Sequence, residues 1–120
     1  MLILLILLLI VLILLPKQES DKTPIIKTLV RQASRWSTAA SQDENPMIAL
    51  LHANYGAGYL WALKDIATDT EIEKAMKIDM IKFRDEIVRI QDEENMKVIK
   101  MCPQFAPPQS YLTKLAKEGI

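Results

Sequence analysis

The sequence is poor in the residues that most often carry chemistry. Its single cysteine, Cys102, excludes an intramolecular disulfide. Small secreted domains usually need such staples, so a reducing compartment is favoured. Its single histidine, His52, has no second imidazole beside it, and one histidine alone makes a poor metal site. Glycine occurs three times. A dinucleotide fingerprint needs G-x-G-x-x-G after a strand, and a phosphate loop needs a lysine and a hydroxyl after its last glycine. The stretch "HANYGAGYLWALKD" supplies neither. An excess of one charge is also missing, since 15 basic residues balance 15 acidic ones. That excludes the basic body by which a domain binds nucleic acid. No segment alternates apolar and polar residues for long enough to read as a strand.

What the chain does have is a long run without any polar side chain. Residues 1–15, "MLILLILLLIVLILL", are apolar throughout, and every charged residue follows them. A cleaved signal peptide would show a basic start and small residues before the cut, and neither is present. The run contains no small residue for a helix–helix seam and no polar one for a transport path. The expectation is a membrane anchor over residues 1–16, ended by Pro16. Fifteen helical residues reach about 22 Å, short of a hydrocarbon core of about 30 Å. Thinning of the bilayer and snorkelling by Lys17 are expected to cover part of the difference.

The neutral total hides an asymmetry. Between Lys17 and Ser41 lie five basic residues, Lys17, Lys22, Lys27, Arg31 and Arg35, against Glu19 and Asp21, and the rest of the chain is slightly acidic. Cations on the C-terminal flank place the following domain on the cytoplasmic side, or its equivalent inside a virion beneath the capsid. Lys27, Arg31 and Arg35 fall at i, i+4 and i+8 and form one helical stripe. The five cations are therefore expected to contact the membrane surface.

Residues 17–23 read as a linker and 24–120 as a small helical domain. Thr23–Pro24 predicts a cap and first-turn proline for one helix, and Asn45–Pro46 for a second that runs to about Ile66. Thr70 and Glu73 match a capping box for a short helix. Asp79 caps a long helix to about Met101, closed by Pro103, and Ser110 starts a last short one that Gly119 ends. The predicted fold is all-α, an N-terminal anchor helix followed by a small antiparallel bundle.

The second helix carries no charge from Met47 to Leu63, so it belongs at the centre of the domain or in an interface. Its small residues Ala49, Ala53, Gly56 and Ala57 form one ridge, suited to close approach of another helix. Met47, Leu50, Leu51, Asn54, Gly58 and Trp61 form another face. His52, Tyr55 and Tyr59 line up along a third edge. The long helix has an apolar seam of Met80, Phe83, Ile87, Ile90, Val98 and Met101, interrupted by Glu94, which must be paired, protonated or in contact with water. Ile81, Val88 and Ile99 make a second, narrower stripe. His52, Tyr55, Tyr59, Trp61, Ile81, Val88 and Ile99 are the expected partner or packing surface.

The wording of "NPMIALLHANYGAGYLWALKDI", "KFRDEIVRIQDE" and "CPQFAPPQSYLTKLA" resembles small, uncharacterised membrane-anchored proteins of large DNA viruses of algae and protists. The resemblance spans roughly residues 45–120. It implies a virion or viral membrane protein that ties an internal membrane to the capsid shell, and it assigns no site residue.

Taken together, the expectation is a non-catalytic, single-pass membrane scaffold without cofactor, metal or small-molecule substrate. Its partners would be the membrane and other protein subunits, capsid proteins among them, and not nucleic acid. An accessory subunit of a cellular membrane complex is the alternative, and a small cysteine- or lipid-dependent enzyme ranks behind both.

Overall fold

The structure, a computed structural model, describes residues 1–15, 21–105 and Leu115. Five α-helices and one 3-10 turn make up these residues: α1 Leu2–Leu14, α2 Thr23–Gln42, α3 Pro46–Ile66, α4 Asp69–Met76, α5 Met80–Met101, and the turn Pro103–Phe105. No strand occurs among the described residues, so the class is all-α as the sequence predicts. Lys17 and the expected last helix after Ser110, apart from Leu115, lie outside the described residues.

α1 is built only of leucine, isoleucine and valine, and none of its residues is buried. No described helix is long and apolar enough to cross a membrane. For α1 the shortfall is one of length. Its 13 residues reach about 20 Å, two thirds of a hydrocarbon core. The segment expected to anchor the chain is thus a fully apolar helix, but not a membrane-spanning one.

The caps explain where the other helices begin. Asp21 Oδ1 accepts the Thr23 backbone N–H at 2.9 Å, so Asp21 and not Thr23 closes the start of α2. Asn45 Oδ1 accepts from the N–H groups of Met47 and Ile48 at 3.0 and 3.3 Å, with Pro46 in the first turn of α3 as expected. The capping box of α4 is formed by Thr68 and Glu71, not by Thr70 and Glu73. The T-x-x-E pattern occurs twice there, offset by two residues. The earlier register puts Ile72 inside, fully buried. Glu73 is then free to accept the Met80 N–H at 3.1 Å, tying the end of α4 to the start of α5. Asp79 caps α5 by accepting from the Lys82 N–H at 3.1 Å.

α2 and α3 fold back on each other through the short Asp43–Asn45 turn, α5 packs against both, and α4 closes the end against α2 and α5. The core lies where they meet, around Ile26, Leu60, Leu63, Ile72, Met80 and Ile87. The result is the small helical bundle that the periodicity predicts.

The Thr68 N–H, donated to Glu71, holds the Glu71 carboxyl below its ordinary value of 4.5, helped by Lys22. A lowered carboxylate pKa stabilises the fold above the unfolded value and is lost as pH falls through the folded one. The first turn of α4 is therefore expected to keep its amide protection from pH 7 down through 4.5 and to loosen only below it. Hydrogen exchange at the Glu71 amide, followed across pH 3–6 by NMR, checks this. Loosening already at pH 5–6 would show that the cap does not depend on the carboxylate.

Candidate interaction surface

The α2–α3 pair is a seam of small side chains. Ala33, Ser37 and Ala40 of α2 face Ala49, Ala53, Gly56 and Ala57 of α3, and all are buried. The tightest point is Gly56. A Cβ placed there would stand 2.2 Å from Ser37 Oγ, 3.0 Å from the Ser37 backbone nitrogen and 3.1 Å from the Ala33 carbonyl oxygen. This is the close helix approach that the small-residue ridge predicts. Gly58 is different: nothing lies within 4 Å of a Cβ at that position.

Close packing on one side leaves the opposite side of α3 bare. Met47, Ile48, Leu51, Tyr55 and Trp61 are exposed along it, and Gly58 sits among them as an open gap. Met47, Leu51, Tyr55, Gly58 and Trp61 recur every three or four residues, so they form one strip, bordered by the exposed Asn54, which accepts from Gln91 of α5 at 3.0 Å. A strip of large apolar side chains on a helix is the signature of a surface that another molecule covers.

At the turn end of that strip stands an aromatic cluster. Trp36 of α2 lies 5.0 Å from His52, centroid to centroid, and meets Tyr55 edge-on at 5.3 Å. The guanidinium carbon of Arg35 sits 5.7 Å from the Trp36 ring centroid. His52 Nδ1 hydrogen-bonds the Asp43 carboxylate, which fixes the imidazole and ties the turn to α3. Neither Trp36 nor Asp43 was marked by the sequence as a partner of His52. A signal existed: if the hairpin turns at residue 44, positions equally distant from it face each other, and Trp36 and His52 are both eight residues away.

Of the other expected surface residues, Tyr59 and Val88 pack against the core instead of facing outward. Ile81 is exposed and Ile99 half-buried. The second α5 stripe is therefore not one surface, because Val88 packs against the core while Ile81 stays exposed. Among the cations, Lys27, Arg31 and Arg35 are exposed on one face of α2, as their spacing predicts. Lys22 departs from that group, since Glu71 holds it in an ion pair at 3.2 Å.

Glu94 is 5% exposed, on the seam where the sequence placed it, and pairs with Lys97 Nζ at 3.0 Å. Cys102 terminates α5 and is half-buried. A cleft of about 540 Å³ lies between α2 and α4, lined by Asp21, Lys22, Thr23, Ile26, Glu71, Lys74 and Ala75. Asp21 and Glu71 are both held low by backbone N–H donors, so they stand there as fixed carboxylates. Among the described residues no group of three or more histidine, cysteine, aspartate or glutamate side chains is arranged to hold a metal ion. No protein-family model, curated protein or solved structure matches the chain.

Proposed function

We propose that this chain is a non-catalytic scaffold held at a membrane by α1, which binds another protein subunit through the open apolar strip of α3. The observation that carries the reading is a pair of apolar surfaces left without cover. Every residue of α1 is at least 45% exposed, and the outer side of α3 shows large apolar side chains along its length. A helix made only of leucine, isoleucine and valine needs an apolar environment, and a bilayer supplies one. Because α1 is short, the bilayer thins around it at a modest cost per ångström. The cations that follow α1 favour the cytoplasmic side for the domain. A capsid protein is the partner if the viral resemblance holds, and a subunit of a cellular membrane complex is the partner otherwise.

Two readouts test this on the full chain expressed in membranes. After alkaline carbonate extraction, the full chain is expected in the membrane pellet, and a chain starting at Gln18 in the supernatant. After mild detergent and cross-linking, the full chain is expected to retain one stoichiometric protein partner. Gly58→Arg, which adds bulk where nothing crowds the backbone, is expected to lose it with an unchanged circular dichroism spectrum. Equal retention by Gly58→Arg and the parent would remove the α3 strip from the mechanism. Release of the full chain by carbonate would remove the anchor.

A further inference from the structure

Across its twenty residues, α2 carries Lys27, Arg31 and Arg35 and not one carboxylate. Its buried side, Ile26, Val30, Ala33, Ser37 and Ala40, is turned to the rest of the bundle. The exposed side presents the three cations, with Ser34, Thr38, Ala39 and Gln42 beside them. No salt bridge engages any of the three among the described residues, whereas Lys22 at the head of the same helix is bound to Glu71. Asp21 feels the Lys27 charge, but the Thr23 N–H is what chiefly holds its carboxyl low. Arg31 and Arg35, with Ser34, Thr38, Ala39 and Gln42, line a shallow groove of about 530 Å³. Guanidinium forks match phosphate oxygens two at a time, and neighbouring hydroxyls add donors.

We propose that this face of α2 lies against anionic phospholipid headgroups of the membrane. The inference rests on the reading of α1 as the membrane anchor and names a second contact with the same bilayer. Three features select a lipid surface as the occupant. The cations extend over about 12 Å of helix, a span that suits a surface better than one small anion. The face is shallow and open, and its three cations outnumber the acidic groups at its borders, Asp21 near Lys27 and Glu86 of α5 beside Ser34 and Thr38. And only eight residues separate α1 from α2, a connection that reaches at most about 30 Å. The tether keeps the stripe at high effective concentration over the headgroups. Each cation near an anionic surface strengthens the contact by about five-fold, and the effect fades beyond the screening length.

The test reconstitutes the full chain, carrying Cys102→Ser and a dye on Ser41→Cys, into two kinds of vesicle. One is phosphatidylcholine alone, and the other contains 30% phosphatidylserine; both carry an acceptor dye on a small fraction of headgroups. Co-flotation with neutral vesicles reports on α1 and is scored separately. Energy transfer from position 41 is expected to rise with phosphatidylserine and to fall back in 0.5 M salt. The triple variant Lys27→Gln, Arg31→Gln, Arg35→Gln is expected to lose the rise while still floating with the vesicles. A chain that floats but shows no rise with phosphatidylserine, or a triple variant that keeps it, overturns the proposal and leaves the anchor intact. Loss of the rise on adding millimolar inorganic phosphate at constant ionic strength would also overturn it, in favour of a free-phosphate site. A chain that fails to float on neutral vesicles sinks the anchor reading, and this inference with it.

Discussion

Leu60→Ala is expected to cost the domain about 2–5 kcal/mol, while Trp61→Ala, one residue further along the same helix, costs less than about 1 kcal/mol. Leu60 is 0% exposed and lies among Ile26, Leu63 and Ile72, whereas Trp61 is 48% exposed. Truncating a side chain that the bundle encloses removes its transfer free energy and leaves a cavity that helices cannot close fully. Truncating one that already meets water removes little. The two variants should separate by at least about 4 °C in melting temperature for a domain of this size. Thermal and urea unfolding of the full chain in mild detergent, followed by far-ultraviolet circular dichroism, measures the difference. The functional readout should invert. Trp61→Ala is expected to lose the cross-linked partner while giving up less than about 1 kcal/mol of stability. Equal destabilisation by the two variants would mean that α3 has no open side, and the interaction strip would have to be abandoned.

The second large contrast concerns two glycines two residues apart. Alanine is the better helix former by about 1 kcal/mol, so glycine-to-alanine in an unobstructed helix stabilises. Gly58→Ala meets nothing within 4 Å and should gain about 0.5–1 kcal/mol. Gly56→Ala places its methyl group against Ser37 Oγ, the Ser37 nitrogen and the Ala33 carbonyl. The hydroxyl can rotate away, but the two backbone atoms move only if the helices separate. Overpacking of this kind costs about 1–3 kcal/mol, enough to outweigh the propensity gain. Ser37 is 3% exposed and its hydroxyl has no partner among the described residues. Adding Ser37→Ala to Gly56→Ala should therefore recover only the side-chain share of the loss. Stabilisation by both single substitutions would show that α2 and α3 stand further apart than the structure places them.

Much of the bundle was legible because its signals are local. Asn45–Pro46, Asp79 and the T-x-x-E repeat each mark a helix start within one turn of chain, and all three lie at or beside an observed start. The choice between two overlapping T-x-x-E registers was not local. It depends on Ile72 finding the core and on Glu73 finding the Met80 amide, and both are tertiary events. Thr23 misled for a smaller reason: α2 already includes it, and Asp21, two residues earlier, accepts the Thr23 N–H. The ridge of Ala49, Ala53, Gly56 and Ala57 was read correctly from spacing alone, because only a close neighbour gives such a stripe a purpose. Spacing could not say that Tyr59 and Val88 turn inward while Tyr55 and Ile81 stay outside. That outcome is set by which helix lies over which face. Nor could spacing show that Lys22 pairs with Glu71, which is 49 residues away in sequence.

The small-residue seam between α2 and α3 also bears on the order in which the domain assembles. Alanine and glycine surrender almost no rotamer freedom when they are buried, so docking these two helices costs little beyond the backbone they fix. The turn that joins them is three residues long, so little further entropy is spent on closing the loop. Contacts near in sequence form faster than distant ones. The hairpin thus has the makings of a nucleus that closes soon after Ile66 leaves the ribosome. α5, whose partners on α2 lie some fifty residues upstream, would arrive at a template already built.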